Sequence, residues 1–280
     1  MLIKKKNRQP APSPEYMAEW LLTELKINEL EDLFYLEELA IRRNALVIYE
    51  KLEGSEARLA VHGRRAIITV STSITSPYRT RFGIAHELGH LEMHRYESAF
   101  SICQSQDLNR WRANKQARNL EAEANQFAAA FLLPERFFKP LCLDSDPYMK
   151  IISGLAGDFQ TSLAATALRY IHFSSEPCAV VYSQNQRVEW VVPNQAFREL
   201  GVYVERNVRL DAAALAHKAL QGKTNRQEGQ VRLATWAAPG KYTSDTLVRE
   251  ESWYSSMYDS VLTLLWADDE IFEGEDSFEL

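Results

Sequence analysis

The spacing of apolar positions divides the chain into helical and extended stretches. Met17, Trp20, Leu21, Leu22 and Leu25 recur at the spacing of one helix face, which predicts a helix from Glu15 to about Ile27. A second helical stretch follows from about Leu30 to Arg43. The pattern then turns extended. Ala45–Tyr49, Ala57–Val61 and Ala66–Val70 read as strands, with a turn at His62-Gly63-Arg64-Arg65 between the last two. Ser76-Pro77 interrupts the chain, and helices are predicted over roughly Tyr78 to His94 and Asn114 to Leu133, the latter ended by Pro134. Two shorter helices, Met149–Phe159 and Leu163–Ile171, flank Gln160-Thr161-Ser162, with Ser162 placed to cap the second. That pair has the form of a helix-turn-helix. Strands return at Cys178–Tyr182 and Val188–Val192, and a helix is predicted at Asp211–Leu220.

Composition narrows the function classes. The 280 residues are 46% hydrophobic and 25% charged, ordinary for a globular protein, and no apolar run is long enough to span a bilayer. Lys4-Lys5-Lys6 near the N-terminus precedes polar and Pro-rich sequence and not an apolar stretch, so no secretory signal is read there. The cysteines Cys103, Cys142 and Cys178 are scattered and odd in number, which points to reduced thiols and a cytoplasmic location. The net charge of −6 disfavours a dedicated nucleic-acid binder. The helix-turn-helix stretch agrees with this. From Cys142 to Glu176, Lys150 and Arg169 stand against Asp144, Asp146, Asp158 and Glu176, a poor surface for phosphates. Helices that pack on the rest of the protein are the expectation there.

Chemistry concentrates at His86-Glu87-Leu88-Gly89-His90. Two His four positions apart lie one turn apart on a helix, so both rings point the same way and can supply two ligands of a tetrahedral Zn²⁺. Glu87 sits about 100° round the helix from His86, beside the ion and not on it, where it can act as general base. The flanking Phe82, Ile84, Ala85, Leu88 and Leu91 mark a buried helix, in which His and Glu are costly without partners. A third ligand is needed. His94 lies about 12 Å along the axis from His86, too far to share an ion, and position 96, where a longer zinc motif would need His, is Tyr96. The next helix offers Glu121, with Asn125 one turn later to hold a ligand ring, and Glu123 as the alternative ligand. Tyr78 and Tyr96 are candidate donors to a developing oxyanion, and nothing in the sequence chooses between them.

Two blocks carry a family resemblance. Ser76 to His94, containing His86-Glu87-Leu88-Gly89-His90, and Glu121-Ala122-Glu123-Ala124-Asn125-Gln126-Phe127-Ala128-Ala129-Ala130-Phe131-Leu132-Leu133-Pro134 resemble the ImmA/IrrE metallopeptidases, and the similarity extends from about residue 30 to 172. The resemblance implies that His86, His90 and Glu121 bind Zn²⁺ (Mn²⁺ being a substitute in vitro) and that Glu87 is the general base, in a gluzincin-type metalloendopeptidase. It implies a cytoplasmic enzyme that cuts a helix-turn-helix (XRE-type) repressor, derepressing stress-response genes, as after DNA damage, or mobile-element genes. No membrane partner and no direct nucleic-acid contact are expected. Arg95 to Asn119, with Tyr96, Phe100 and Trp111, has no counterpart in the family pattern and is expected to be a loop shaping the substrate groove.

The expected fold class is α+β: a zincin-like peptidase domain with a small sheet and the HExxH helix, a helix-turn-helix-like bundle, and a C-terminal mixed domain similar by analogy to GAF sensors. The expected layout is a disordered tail over 1–13, peptidase domain over 14–140, helical module over 141–176, C-terminal domain over 177–267 and acidic tail over 268–280. Two other functions remain open on sequence: a non-hydrolytic sensor or scaffold that binds a repressor or ligand, and, disfavoured by charge, a DNA-binding regulator.

Overall fold

The structure is a computed structural model. It describes residues 12–95, 120–143, 146–237 and 246–267, and the backbone alone for 100–104. Both expected tails lie largely outside the described residues, as do Tyr96, Trp111 and the start of the helix predicted from Asn114. The chain is a mixed α and β protein with two sheets, divided into two compact units: Met1–Phe137 with Phe159–Thr161, and Phe138–Asp158 with Ser162–Leu280.

In the first unit, Ser13 caps helix α1 (Pro14–Glu24) by accepting from the Tyr16 N–H. A 3-10 helix (Leu30–Phe34) and α2 (Leu36–Arg42) follow. The helix expected from Leu30 to Arg43 is therefore broken at Tyr35, where φ −107° and ψ 62° are not helical. Strands β1 (Ala45–Glu50), β2 (Ser55–His62), β3 (Arg65–Ser71) and β4 (Phe100–Gln104) form a sheet in the order β1-β3-β2-β4, with β1 parallel to β3 and the remaining pairs antiparallel. Gly63 makes the β2–β3 turn at φ +59°, a conformation that suits Gly because no Cβ meets the carbonyl. Strand β4 arises inside the stretch expected to be loop.

The sheet buries alternate positions. Ala57, Leu59, Ala66, Ile68 and Val70 are buried, whereas Leu46 and Ile67, paired across β1 and β3, point to the exposed face. Helix α3 (Pro77–Met93) packs on β2 and β3 and against α4 (Leu120–Leu132). Every residue of α3 from Gly83 to Leu91 is buried, so no side of the helix faces solvent in its middle turns. Its closeness to α4 depends on Gly89, where a Cβ would come within 2.9 Å of Phe127 Cδ1. Arg81 fixes the start of α3 by donating to the carbonyls of Leu33 (2.9 Å) and Phe34 (3.1 Å), and Arg43 donates two hydrogen bonds to the Glu92 carboxylate near its end. Residues of α1, α3, α4 and the sheet share one core.

After α5 (Glu135–Phe138), the second unit contains α6 (Met149–Asp158) and α7 (Leu163–Phe173), the latter capped by Ser162, whose hydroxyl accepts from the Ala165 N–H at 3.2 Å. Strands β5 (Cys178–Gln184) and β6 (Arg187–Pro193), helices α8 (Gln195–Glu199) and α9 (Leu215–Gly222), and strands β7 (Arg226–Arg232), β8 (Leu247–Ser255) and β9 (Ser260–Trp266) complete it. Helix α9 begins later than Asp211. The Asp211 carboxylate instead accepts from the Ala213 N–H in a local turn.

The five-stranded sheet, in order β6-β5-β9-β8-β7, is wholly antiparallel. All of β9 is buried, which requires cover on both faces. Two consecutive residues of β8 show how the cover is attached. Glu250 points to one face and accepts from the Ala216 N–H at the start of α9 (2.6 Å); Glu251 points to the other and accepts from the Met149 N–H at the start of α6 (2.9 Å). Each carboxylate meets the positive end of a helix dipole and takes up an N–H that has no partner inside the helix. Tyr148 adds an edge-on contact with Trp266 beside Glu251.

Candidate metal site

Helix α3 carries His86, Glu87 and His90, and α4 carries Glu121 and Asn125. The contact between the two helices brings these residues together. His86, Glu87 and His90 are at most 1% exposed. The Nε2 atoms of His86 and His90 are 3.1 Å apart, and the Glu121 carboxylate lies 3.2 Å from the first and 3.4 Å from the second. One ligand atom from each of the three residues fits within 4.8 Å of the others, the only such His, Cys, Asp and Glu group found among the described residues.

The far side of each ring sets its proton. His86 Nδ1 is 2.9 Å from Asn125 Oδ1. A carbonyl oxygen only accepts, so Nδ1 carries the proton and Nε2 presents a lone pair. Three electron-pair donors this close repel one another unless a proton or cation lies among them. The spacing of the two imidazole nitrogens, and of each from its nearer Glu121 oxygen, is close to the edge of about 3.3 Å expected for a tetrahedron with bonds of about 2.0 Å. Two imidazole nitrogens and one carboxylate are suited to Zn²⁺ in chemistry as well as in spacing. The Glu121 side chain remains 31% exposed, so the site has a side that faces solvent.

His94, too distant to join the triangle, stands directly behind it. Its Nδ1 is 3.0 Å from His90 Nδ1, and its Nε2 is 2.9 Å from Glu123 Oε2. Glu123, the alternative ligand on sequence grounds, thus reaches His94 and not the triangle. The signal for His94 was available: the four-residue step that aligns His86 with His90 also aligns His90 with His94. Glu123 had no such signal, because 29 residues separate it from His94. Tyr78, at the start of α3, is 40% exposed, while Tyr96 and the Cys103 side chain lie outside the described residues. Cys142 and Cys178 are free and buried, and burial pushes both thiols up to about 12, which keeps them protonated and unreactive.

No curated protein matches the sequence. Among solved structures, a protein described as a Mycobacterium tuberculosis transcriptional regulator is similar in fold, with a TM-score of 0.57 over 91% of this chain and 87% of that one, at 16% identity. Residues 40–170, which include every member of the candidate site, match the IrrE N-terminal-like domain, Peptidase_M78. That stretch of the chain is therefore similar to the IrrE N-terminal-like domain of that peptidase family.

Proposed function

We propose that the first unit is a zinc-dependent, gluzincin-type endopeptidase in which His86, His90 and Glu121 hold the ion, Glu87 is the general base and Asn125 orients His86. The observation that carries this reading is the convergence of His86 and His90 of α3 with Glu121 of α4, one ligand atom from each within 4.8 Å of the others, beside the buried Glu87. A divalent ion held there supplies Lewis acidity toward a carbonyl and makes water a better acid. The chain supplies the rest. Glu87 takes the proton from the attacking water and returns it to the departing amine. Asn125 keeps the His86 lone pair aimed inward. The buried surroundings strengthen each of these electrostatic contacts by excluding water.

The substrate we propose is a helix-turn-helix repressor of the XRE type, cut to derepress stress-response or mobile-element genes. Support comes from the peptidase family of residues 40–170 and from the fold shared with a protein titled a transcriptional regulator. Direct DNA binding by α6 and α7 is disfavoured. Helix α7 turns Thr166, Ala167, Tyr170 and Ile171 inward, and its one Arg, Arg169, lies over the Phe173 ring. The second unit, an antiparallel sheet covered on both faces, supports a sensor role that would set when cutting occurs. The test is co-expression with helix-turn-helix repressors encoded beside this gene. One discrete, metal-dependent cut is expected from the wild type and none from Glu87→Gln, which should still bind zinc and the repressor. Regulation that survives in Glu87→Gln overturns the peptidase reading in favour of a non-hydrolytic scaffold.

A further inference from the structure

Behind the donor triangle, His90 continues into two groups that the proposed reaction does not use, His94 and Glu123, joined end to end at 3.0 and 2.9 Å. Neither His94 nor Glu123 can touch the ion together with His86, and His94 is wholly buried. With His94 neutral, hydrogen-bond polarity along the row has one solution when read from its outer end. An ionised carboxylate only accepts, so His94 donates to Glu123 through Nε2–H. A neutral His94 then has a lone pair at Nδ1. That lone pair accepts from His90, which must carry its proton on Nδ1. His90 Nε2 is thereby left bare, and it is the atom that faces His86 Nε2 and Glu121. The opposite tautomer of His90 would direct an N–H at the site and remove a ligand.

We infer that His94 and Glu123 are a positioning pair, which holds His90 in its Nδ1–H tautomer and aims the Nε2 lone pair at the metal position. The pair does for His90 what Asn125 does for His86, but through a second imidazole, which spans the extra distance to α4. Outer groups of this kind commonly change metal affinity by about 10- to 100-fold when lost. The inference rests on the metal-site reading, and its test separates the two.

The experiment measures zinc affinity of the full chain by competition with a chromophoric chelator, alongside nitrogen-15 spectra of the His side chains. Glu123→Leu and His94→Phe, which remove the acceptors, should bind zinc about 10- to 100-fold more weakly. In the metal-free protein, Glu123→Leu should redistribute the His90 proton between its two nitrogens, whereas wild type shows Nδ1–H. Glu123→Gln and His94→Asn keep an oxygen that accepts in the same place and should restore affinity to within a few fold. A general loss of packing would not be rescued in this way. Zinc bound equally tightly by wild type, Glu123→Leu and His94→Phe, or a His90 proton on Nε2 in wild type, overturns the positioning role and leaves the metal site standing. Failure of wild type to bind zinc, or binding undiminished by His86→Ala, overturns the metal site and the pair's role with it.

Discussion

Both units bury carboxylates beside helices, and the two sets differ in what faces them. Glu250 and Glu251 in the second unit meet donors: the Ala216 N–H, the Trp236 indole N–H and the Ser252 hydroxyl for one, the Met149 N–H and Arg249 for the other. Glu121 in the first unit meets two imidazole nitrogens whose protons are directed elsewhere. A buried carboxylate surrounded by donors is complete as it stands and serves the fold. One that shares its space with other electron-pair donors favours a cation, and the fold holds it there at some cost in stability. Residue type is the same in the two regions, Glu121 is 31% exposed where Glu250 and Glu251 are buried, and the polarity of the neighbours separates structural acids from a site.

The sharpest way to break this contrast is to neutralise carboxylates in each unit. Glu87→Gln should lower repressor cleavage by about 10²- to 10⁴-fold, the usual share of a general base, with zinc affinity unchanged, as read by gel assay and chelator competition. If Glu87 were a packing residue like Glu250, activity would track folded protein and fall little. Zinc at 100 times its dissociation constant should next raise the stability of the wild type by about 2.7 kcal/mol in urea denaturation. Glu121→Ala should abolish that increment. Glu250→Ala and Glu251→Ala should behave in the reverse way. Each should cost about 1–3 kcal/mol by leaving buried N–H groups without acceptors, with zinc affinity unaltered. A comparable loss, about 1–3 kcal/mol, is expected for Gly89→Ala, because the new Cβ would press on Phe127 where α3 and α4 touch.

Features set by neighbours along the chain were legible in the sequence, and features set by distant pairing were not. His86, Glu87 and His90 could be read from helical spacing, and Glu121 with Asn125 from the same rule applied to the next apolar helix. The strands around Ile68 and Val180 declare themselves by β-branched residues. Strand β7, Arg226–Arg232, is nearly all polar and sits at a sheet edge, so it lacks the apolar alternation that marks a strand. Strand β9 is apolar throughout because both its faces are covered, and such a run does not distinguish strand from buried helix. The break at Tyr35 lies between two turns with matching apolar spacing. Sheet order and the contact of His94 with Glu123 depend on tertiary packing, which no local pattern encodes.

The smallest effect concerns pH and isolates Glu250. Burial raises its carboxyl above the ordinary value of 4.5, even though the hydrogen bonds from Trp236, from the backbone of Leu215 and Ala216, and from Ser252 pull it down. Between pH 4.5 and the raised value, the folded protein therefore holds more of this proton than the unfolded chain does. The sign follows by linkage: stability falls as pH rises through that window, and the contribution is fully present only below it. Glu250→Gln has no proton to lose, so the stability difference between wild type and variant should shift against the wild type as pH is raised from 4.5. Urea denaturation of both proteins across the window reads this difference directly, with contributions of other groups cancelling. A difference that stays constant, or that moves in favour of the wild type with rising pH, would mean that the surrounding donors outweigh burial. Glu250 would then be ionised as an ordinary helix cap, and the contrast with Glu121 would rest on neighbour polarity alone.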